Sequence, residues 1–201
     1  MNTYMHKAGF TIIELMVVLA IIGVLASYAI PAMDGILRKS SVRATQHEVY
    51  SSFNYARGEA VSRSKTVTLC PSVAGLACDG SNWSDGWIVF VDVTDNDVVL
   101  RAYTPNVKNT IAVKNASDGT ALTSISWTFQ GYALDEQEVL AVICGRNDEA
   151  GYRRGAVVSR TGRVTHTRDV NGDGYHDARF EAVGVNAAVI ENNTINCTYG
   201  S

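Results

Sequence analysis

The stretch FTIIELMVVLAIIGVLASYAIPA, residues 10–32, decides how this 201-residue chain is built. It carries a single charged side chain, that of Glu14. A helix rises ~1.5 Å per residue, so this stretch is long enough to cross the ~30 Å hydrocarbon core of a bilayer. A carboxylate inside a membrane span costs roughly 3 kcal/mol on insertion scales. Glu14 therefore needs a compensating partner.

A free amine close to Glu14 would supply that compensation. If the chain were cut between Gly9 and Phe10, the new cationic N-terminus would lie one helical turn from the carboxylate. The helix dipole also favours a negative charge at this end. In a packed array of subunits, Glu14 could instead meet the free amine of a neighbouring subunit and set the stagger between them.

The segment around this site, KAGFTIIEL at residues 7–15, closely resembles the class III signal of type IV prepilins and type II secretion pseudopilins. The resemblance implies that a prepilin peptidase removes the leader peptide, residues 1–9, by cutting between Gly9 and Phe10, and methylates Phe10. It also implies that the apolar helix stays on the mature protein. That protein would wait in the lipid of the bacterial inner membrane, with its head in the periplasm, before joining a pilus or pseudopilus.

Two other interpretations of the N-terminus stay open. An ordinary secretory signal peptide would be cleaved near Ser27-Tyr28-Ala29, which has small residues at both ends. A plain membrane anchor would take no part in a filament. Glu14 interrupts the apolar region and the helical pattern continues past Ala29. Both observations favour the prepilin interpretation over a signal peptide.

The apolar stretch is followed by 169 residues, which is enough for one soluble domain. The formal net charge of −3 at pH 7 gives no general affinity for polyanions. Four cysteines, none in a CxxC motif, predict disulfides in an exported chain. Four cysteines allow three pairings. We predict Cys70–Cys78, which are close in sequence, and Cys144–Cys197, which would tie the C-terminal tail to a core strand.

Helical periodicity continues well beyond the apolar stretch. One side of the helix would present Val42, Gln46, Val49, Phe53, Ala56 and Ala60, the apolar stripe. We therefore predict a single helix from about Thr11 to Arg63, bent at Pro31 because proline lacks the amide hydrogen that the helix uses. Residues 10–32 are its membrane or filament-core half, and residues 33–65 are its amphipathic half.

From Thr66 the apolar pattern changes to a period of two, which predicts β-strands. Eight short strands are expected at residues 66–70, 87–92, 98–103, 111–113, 124–129, 139–144, 156–160 and 163–168. One long helix followed by these strands predicts an α+β fold. An antiparallel two-sheet head, residues 66–201, would pack on the helix.

Three motifs in this head, CPS at residues 70–72, WSDGWIVFVD at residues 83–92 and SRTGRV at residues 159–164, resemble those of the GspH/FimT family of minor pilins and pseudopilins. This family has a type IV pilin-like fold and includes FimU-type subunits. The resemblance implies a structural subunit that primes a type IV pilus or belongs to its tip complex, with other major and minor pilins as partners. A type II secretion pseudopilin of the H kind, acting in protein export, is the alternative.

The sequence DVNGDGYHD at residues 169–177 looks like a calcium-binding loop. Oxygen donors at alternate positions can converge on one hard cation, and the predicted ligands are Asp169, Asn171, Asp173, Tyr175 and Asp177. The twelfth loop position is Phe180 rather than the bidentate acid of an EF-hand. A solvated turn between two strands explains the same residues without a metal.

Arginines concentrate just before this loop, in residues 152–168, where no acidic residue occurs. Such a patch can neutralise phosphates. Some FimT-like minor pilins bind DNA in natural transformation through a GRxR motif, and residues 162–165, GRVT, match it except at Thr165. The resemblance therefore suggests a third function, DNA binding, through Arg160, Arg163, His166 and Arg168. A solvated sheet edge protected by charge is the alternative.

Signatures of enzymes are absent from the sequence, which has no GxSxG, HExxH or P-loop motif. We therefore predict a non-enzymatic protein that requires no cofactor, with Ca²⁺ as a candidate ligand.

Overall fold

A computed structural model describes residues 10–92, 98–105, 109–145, 150–169, 176–180 and 188–190. One helix, α1, covers Ile12–Arg63, within one residue of the predicted bounds. Ten strands follow it: β1 Val67–Pro71, β2 Trp87–Val91, β3 Val98–Tyr103, β4 Thr110–Asn115, β5 Ile125–Trp127, β6 Val139–Cys144, β7 Arg154–Val158, β8 Val164–His166, β9 Ala178–Phe180 and β10 Ala188–Ile190. Single 3₁₀ turns lie at Trp83–Asp85, Leu134–Glu136 and Ala150–Tyr152.

The chain forms two compact units that divide between Leu37 and Arg38, inside α1. The first unit contains the N-terminal part of α1, and the second contains the rest of α1 and the strands. From Arg38 onward, the amphipathic part of the helix therefore belongs to the same unit as the β head.

In the first unit, α1 bends between Tyr28 and Met33, around Pro31, as the sequence predicts. Among the described residues, no single helix has both the length and the hydropathy expected of a membrane span. The segments Ile12–Tyr28 and Met33–Arg63, on either side of the bend, meet that requirement together, by length and composition.

The second unit confirms the predicted apolar stripe. All six of its residues are buried: Val42, Gln46, Val49, Phe53, Ala56 and Ala60. Five of them, all except Gln46, form one cluster with apolar side chains from both large sheets, so α1 contributes one face to the core. The three tryptophans that follow α1 are buried as well, and the Trp127 ring lies 5.8 Å from the Phe53 ring.

Two four-stranded antiparallel sheets make up most of the head, in agreement with the predicted fold. The first has the strand order β3-β2-β1-β5, and the second has the order β4-β6-β7-β8. In the first sheet, Val67 is aligned with Val91 of β2 and with Trp127 of β5. A third, two-stranded sheet consists of β9 and β10.

All eight predicted strands are present; β3 and β6 have the predicted bounds, and the bounds of the other six differ. β7 begins at Arg154, two residues earlier than predicted. The strand can include Gly155 because this residue has no side chain: a Cβ at this position would lie 2.5 Å from the Ala141 carbonyl oxygen. β8 is shorter than predicted, since its ladder with β7 ends at His166. The strands β9 and β10 were not predicted, because each has three residues and lacks a clear alternation.

The predicted Cys70–Cys78 disulfide is present. Cys144 is also disulfide-bonded, and its predicted partner, Cys197, lies outside the described residues. The Cys70–Cys78 bridge closes the loop after β1, where Asp79 accepts hydrogen bonds from the Ser72 hydroxyl at 3.0 Å and the Val73 amide at 2.8 Å. These bonds lower the pKa of Asp79, so the loop is held by a carboxylate as well as by the bridge.

Candidate functional site

The first turns of α1 expose apolar side chains on every side. From Phe10 to Leu25, the large apolar residues are between 47% and 87% exposed. Isolated exposed apolar residues are ordinary, but a continuous apolar surface marks contact with lipid or with another apolar surface. This part of the helix therefore has a surface suited to a membrane or to packing against other helices.

Thr11 caps this helix. The backbone amide of Glu14 donates to the Thr11 hydroxyl at 3.3 Å, and the amide of Leu15 donates to the Thr11 carbonyl at 3.2 Å. The spacing Thr-x-x-Glu is that of a capping box, a helix-start signal that our sequence analysis did not use. Glu14 therefore lies in the first turn, solvent-exposed, next to the positive end of the helix dipole.

Of the two residues at the predicted cleavage site, Phe10 is described and is highly exposed. Gly9 lies outside the described residues. The exposed Phe10, the cap at Thr11 and the carboxylate of Glu14 follow one another within the first helical turn. The arrangement keeps the predicted new amine and the carboxylate within one turn of the same helix.

The ends of the predicted calcium loop are joined by backbone hydrogen bonds. The Arg168 amide donates to the Asp177 carbonyl at 3.2 Å, and the Asp177 amide donates to the Arg168 carbonyl at 2.6 Å. Asp169 is exposed and Asp177 is buried, whereas Asn171, Asp173 and Tyr175 lie outside the described residues. Within the described ranges no three His, Cys, Asp or Glu side chains cluster as a metal site. The calcium site stays a prediction.

The predicted DNA-binding arginines do not share one environment. Arg160 lies in an ion pair with Glu138, with 3.5 Å between Nε and Oε1, which offsets its charge. Arg163 is exposed just after the turn at Gly162, and Arg168 is exposed beyond the end of β8. The region therefore contains one arginine in an ion pair with Glu138 and two arginines that are solvent-exposed.

His166, the fourth predicted DNA-binding residue, packs against α1. Its ring stacks on Tyr50 at a centroid distance of 4.0 Å and an interplanar angle of 23°. The His47 ring meets it edge-on at 5.5 Å. Burial lowers the pKa of His166, and the nearby charges of His47 and Arg168 lower it further. At neutral pH this imidazole adds little positive charge to a phosphate-binding surface.

His176, inside the predicted calcium loop, is half-buried. Its Nδ1 lies 2.8 Å from the Thr167 carbonyl oxygen. Burial and the charge of Arg154 lower its pKa more than the Thr167 hydrogen bond and Asp169 raise it. Arg154 itself is buried, and its guanidinium donates to the carbonyls of Gly151 and Arg153. The His176 imidazole and the Arg154 guanidinium are therefore held by hydrogen bonds within the head.

Gln46 explains why a polar residue occupies the apolar stripe. Its side-chain amide is buried and donates to the Gly155 carbonyl at 2.7 Å. The bond joins α1 to β7 across 109 positions of sequence. The spacing of Gln46 from Val42 and Val49 placed it on the buried face of α1. The sequence did not indicate that its hydrogen-bond partner is the Gly155 carbonyl.

A helix that continues into an antiparallel two-sheet β head is the type IV pilin-like fold. Crystal structures of the type IV minor pilin FimU from Pseudomonas aeruginosa share this fold. In space group P21 the TM-score is 0.51 at 19% identity, over 63% of this chain and 87% of the other. In space group P65 it is 0.50 at 19% identity, over 63% and 92%.

The family follows from the sequence of the second part of α1 and most of the head. The family model described as "Type II transport protein GspH" matches residues 45–162, more than half of the chain, so the chain belongs to the GspH family. The model described as "Prokaryotic N-terminal methylation motif" matches residues 4–30. The type IV major fimbrial protein FimA of Dichelobacter nodosus is 29% identical over 145 residues, 67% of this chain and 82% of that protein.

Proposed function

We propose that this protein is a minor pilin, a non-enzymatic structural subunit that helps to prime a type IV pilus or forms part of its tip complex. The observation that carries the proposal is the continuous apolar surface of α1 from Phe10 to Leu25, which begins within the N-terminal methylation motif. This surface precedes a head of the GspH family. Its partners would be other major and minor pilins.

The proposal divides the chain by role. Residues 1–9 are the leader that the prepilin peptidase removes, and residues 10–32 first cross the inner membrane and later enter the filament core. Residues 33–65 are the amphipathic helix on which the head, residues 66–201, is built. The buried stripe of α1 supports the third role, and the exposed apolar side chains support the second.

Assembly in this proposal is an exchange of surroundings. Before assembly, lipid covers the exposed side chains of α1, and afterwards the apolar helices of other subunits cover them. The free energy of burial is similar in both environments, so packing and polar contacts select the arrangement. The Glu14 carboxylate would meet the cationic N-terminus of a neighbouring subunit and fix the stagger between the two helices.

Mass spectrometry of the mature N-terminus tests the processing step. We expect a peptide that begins with N-methylated Phe10, and the full-length leader in cells that lack the peptidase. A mature chain that begins beyond Ala29 would contradict the proposal, since the apolar helix would then be absent from the mature protein.

Two substitutions in the first turn separate assembly from helix capping. A glutamine at position 14 preserves the spacing of a capping box but has no charge. We expect Glu14→Gln to be processed normally and to be lost from purified filaments. Thr11→Val removes the capping hydroxyl and retains the charge, so it should be incorporated. Normal incorporation of Glu14→Gln would exclude the proposed role of the charge.

A type II secretion pseudopilin is the second candidate, because the matching family model carries the description "Type II transport protein". Deletion of the gene distinguishes the two functions. Loss of surface pili with normal export of folded proteins would support the pilus, and loss of export with normal piliation would support the secretion system. Complementation by Glu14→Gln should fail in either case.

We also propose that the loop from Asp169 to Asp177 binds Ca²⁺. The joined loop ends and the exposed carboxylate of Asp169 support this site. Calcium should raise the melting temperature of the protein, and a chelator should lower it, since a ligand that binds the folded state stabilises it. Asp173→Asn should weaken the effect. A midpoint that calcium leaves unchanged would contradict the site.

A further inference from the structure

Two histidines and a tyrosine form a contact between α1 and the edge of the second sheet, which we call the histidine junction: His47, Tyr50 and His166. β8 is the last strand in the order β4-β6-β7-β8, so among the described strands its backbone ladder joins it only to β7. The His166 ring stacks on Tyr50 at 4.0 Å, and His47 meets it at 5.5 Å. The junction therefore fastens an edge strand to the helix.

The alternation of β8 places His166 on the inner side of the sheet. Val164, two residues earlier, is buried in the core cluster, and Ala156, which is aligned with His166 on β7, is fully buried. The Nδ1 atom of His166 is buried and makes no hydrogen bond within the described part of the chain. A neutral ring tolerates this environment, but a charged imidazole would be desolvated without a partner.

The charges that act on His166 are cationic. His47 faces it from α1, and Arg168 lies just beyond β8. Burial lowers the pKa of His166 below its ordinary value of 6.5, and these two neighbours lower it further. Each of these three causes opposes protonation in the folded state.

We infer that the histidine junction is a pH-sensitive attachment, which holds β8 against α1 at neutral pH and releases it in acid. Imidazoles exposed by opening titrate near pH 6.5. Below that pH the open state binds more protons than the closed state, so the closed state loses stability as the pH falls. Above it both states are neutral and the attachment has its full strength. Release would expose the edge of β7 that pairs with β8.

Hydrogen exchange of the full chain in detergent micelles tests this inference. Amides of β8 should lose protection several-fold between pH 7.5 and pH 5.0, after correction for the intrinsic pH dependence of exchange. Amides of β1, which is central in the first sheet, serve as the internal control and should keep their protection. Equal protection of β8 at the two pH values would overturn the inference.

One variant assigns the effect to His166. His166→Phe keeps an aromatic ring against Tyr50 without a titratable nitrogen, and it should abolish most of the pH dependence of β8 exchange. If the full pH dependence survives in His166→Phe, the junction is not the sensor. An NMR titration of the unmodified chain gives an independent check, since a His166 pKa at or above 6.5 would also overturn the inference.

Discussion

The two parts of α1 share one backbone conformation but have opposite surfaces. From Phe10 to Leu25 the apolar side chains are exposed on all sides, whereas from Val42 to Ala60 the apolar side chains form one buried stripe. The same chain supplies the cover for the second part, through its β head. The exposed apolar side chains of the first part form a surface suited to lipid or to other apolar molecules. An apolar helix therefore indicates assembly only when the rest of the chain leaves it uncovered.

The largest expected contrast comes from truncating one side chain in each part. Phe53 is 1% exposed and Leu19 is 59% exposed. Phe53→Ala should destabilise the head by about 3–5 kcal/mol, because it removes a buried ring and leaves a cavity. Leu19→Ala should leave head stability unchanged. Urea unfolding of the full chain in micelles, followed by tryptophan fluorescence, measures both, since all three tryptophans lie in the head.

Equal destabilisation by these two substitutions would break the comparison. It would mean that the first part of α1 contributes to the stability of the head, and that its apolar surface is not reserved for other molecules.

A second pair of substitutions tests how tightly the turn at Gly162 is packed against the rest of the head. Gly162 and Gly119 both have a φ of +74°. A Cβ at Gly162 would overlap the Gly131 carbonyl oxygen, whereas nothing lies within 4 Å of a Cβ at Gly119. Gly119→Ala should cost about 1 kcal/mol, the penalty for a left-handed backbone. Gly162→Ala should cost about 3 kcal/mol, because a packed turn must also shift.

Thermal unfolding of the two variants under the same conditions makes this comparison. Similar melting temperatures for Gly162→Ala and Gly119→Ala would show that the turn at Gly162 shifts to accommodate a methyl group. The head would then be packed less tightly at this turn than the structure indicates.

Removal of the Cys70–Cys78 bridge should have a smaller effect. A loop of this size predicts about 2.5 kcal/mol on the chain-entropy model, and the hydrogen bonds to Asp79 retain part of the loop order. We expect the double variant Cys70→Ser/Cys78→Ser to lose about 2 kcal/mol in urea unfolding. The double variant leaves no unpaired thiol at this loop. A loss as large as that of Phe53→Ala would show that the loop is part of the core.

The smallest expected effect concerns DNA. Because Arg160 is paired with Glu138 and His166 is stacked on Tyr50, few charges are left to contact phosphate. We expect weak, salt-dependent gel shifts of duplex DNA by the full chain, and a salt slope reduced by about 1 in Arg163→Ala. Lys65→Ala is the matched control, an exposed cation before β1. The absence of any shift at low salt would remove this function.

Local patterns in the sequence predicted much of the fold. The spacing of Val42, Val49 and Phe53 identified the buried face of α1, because a helix repeats every 3.6 residues whatever covers it. Alternation located the eight longer or more regular strands for the same reason. The Cys70–Cys78 bridge was predictable from the short separation of the two residues.

Contacts between distant positions were not predictable in this way. The stack of Tyr50 on His166 and the bond from Gln46 to Gly155 depend on the sheet order, which no local pattern specifies. For the same reason, the sequence placed His166 with Arg163 in a predicted DNA-binding surface and did not indicate its contact with α1. The pairing of Arg160 with Glu138 likewise joins two segments that are distant in sequence.

One close contact, at the Gly131 carbonyl, joins α1 to the turns that follow β5 and β7. The Gly131 carbonyl accepts from Arg57 of α1 and lies against Gly162, while the Trp127 indole donates to the Gly162 carbonyl at 3.3 Å. Helix, first sheet and second sheet thus meet at one point. Unfolding of either sheet would break this contact and remove support from the other sheet. We therefore expect a calorimetric scan of the head to give a single peak.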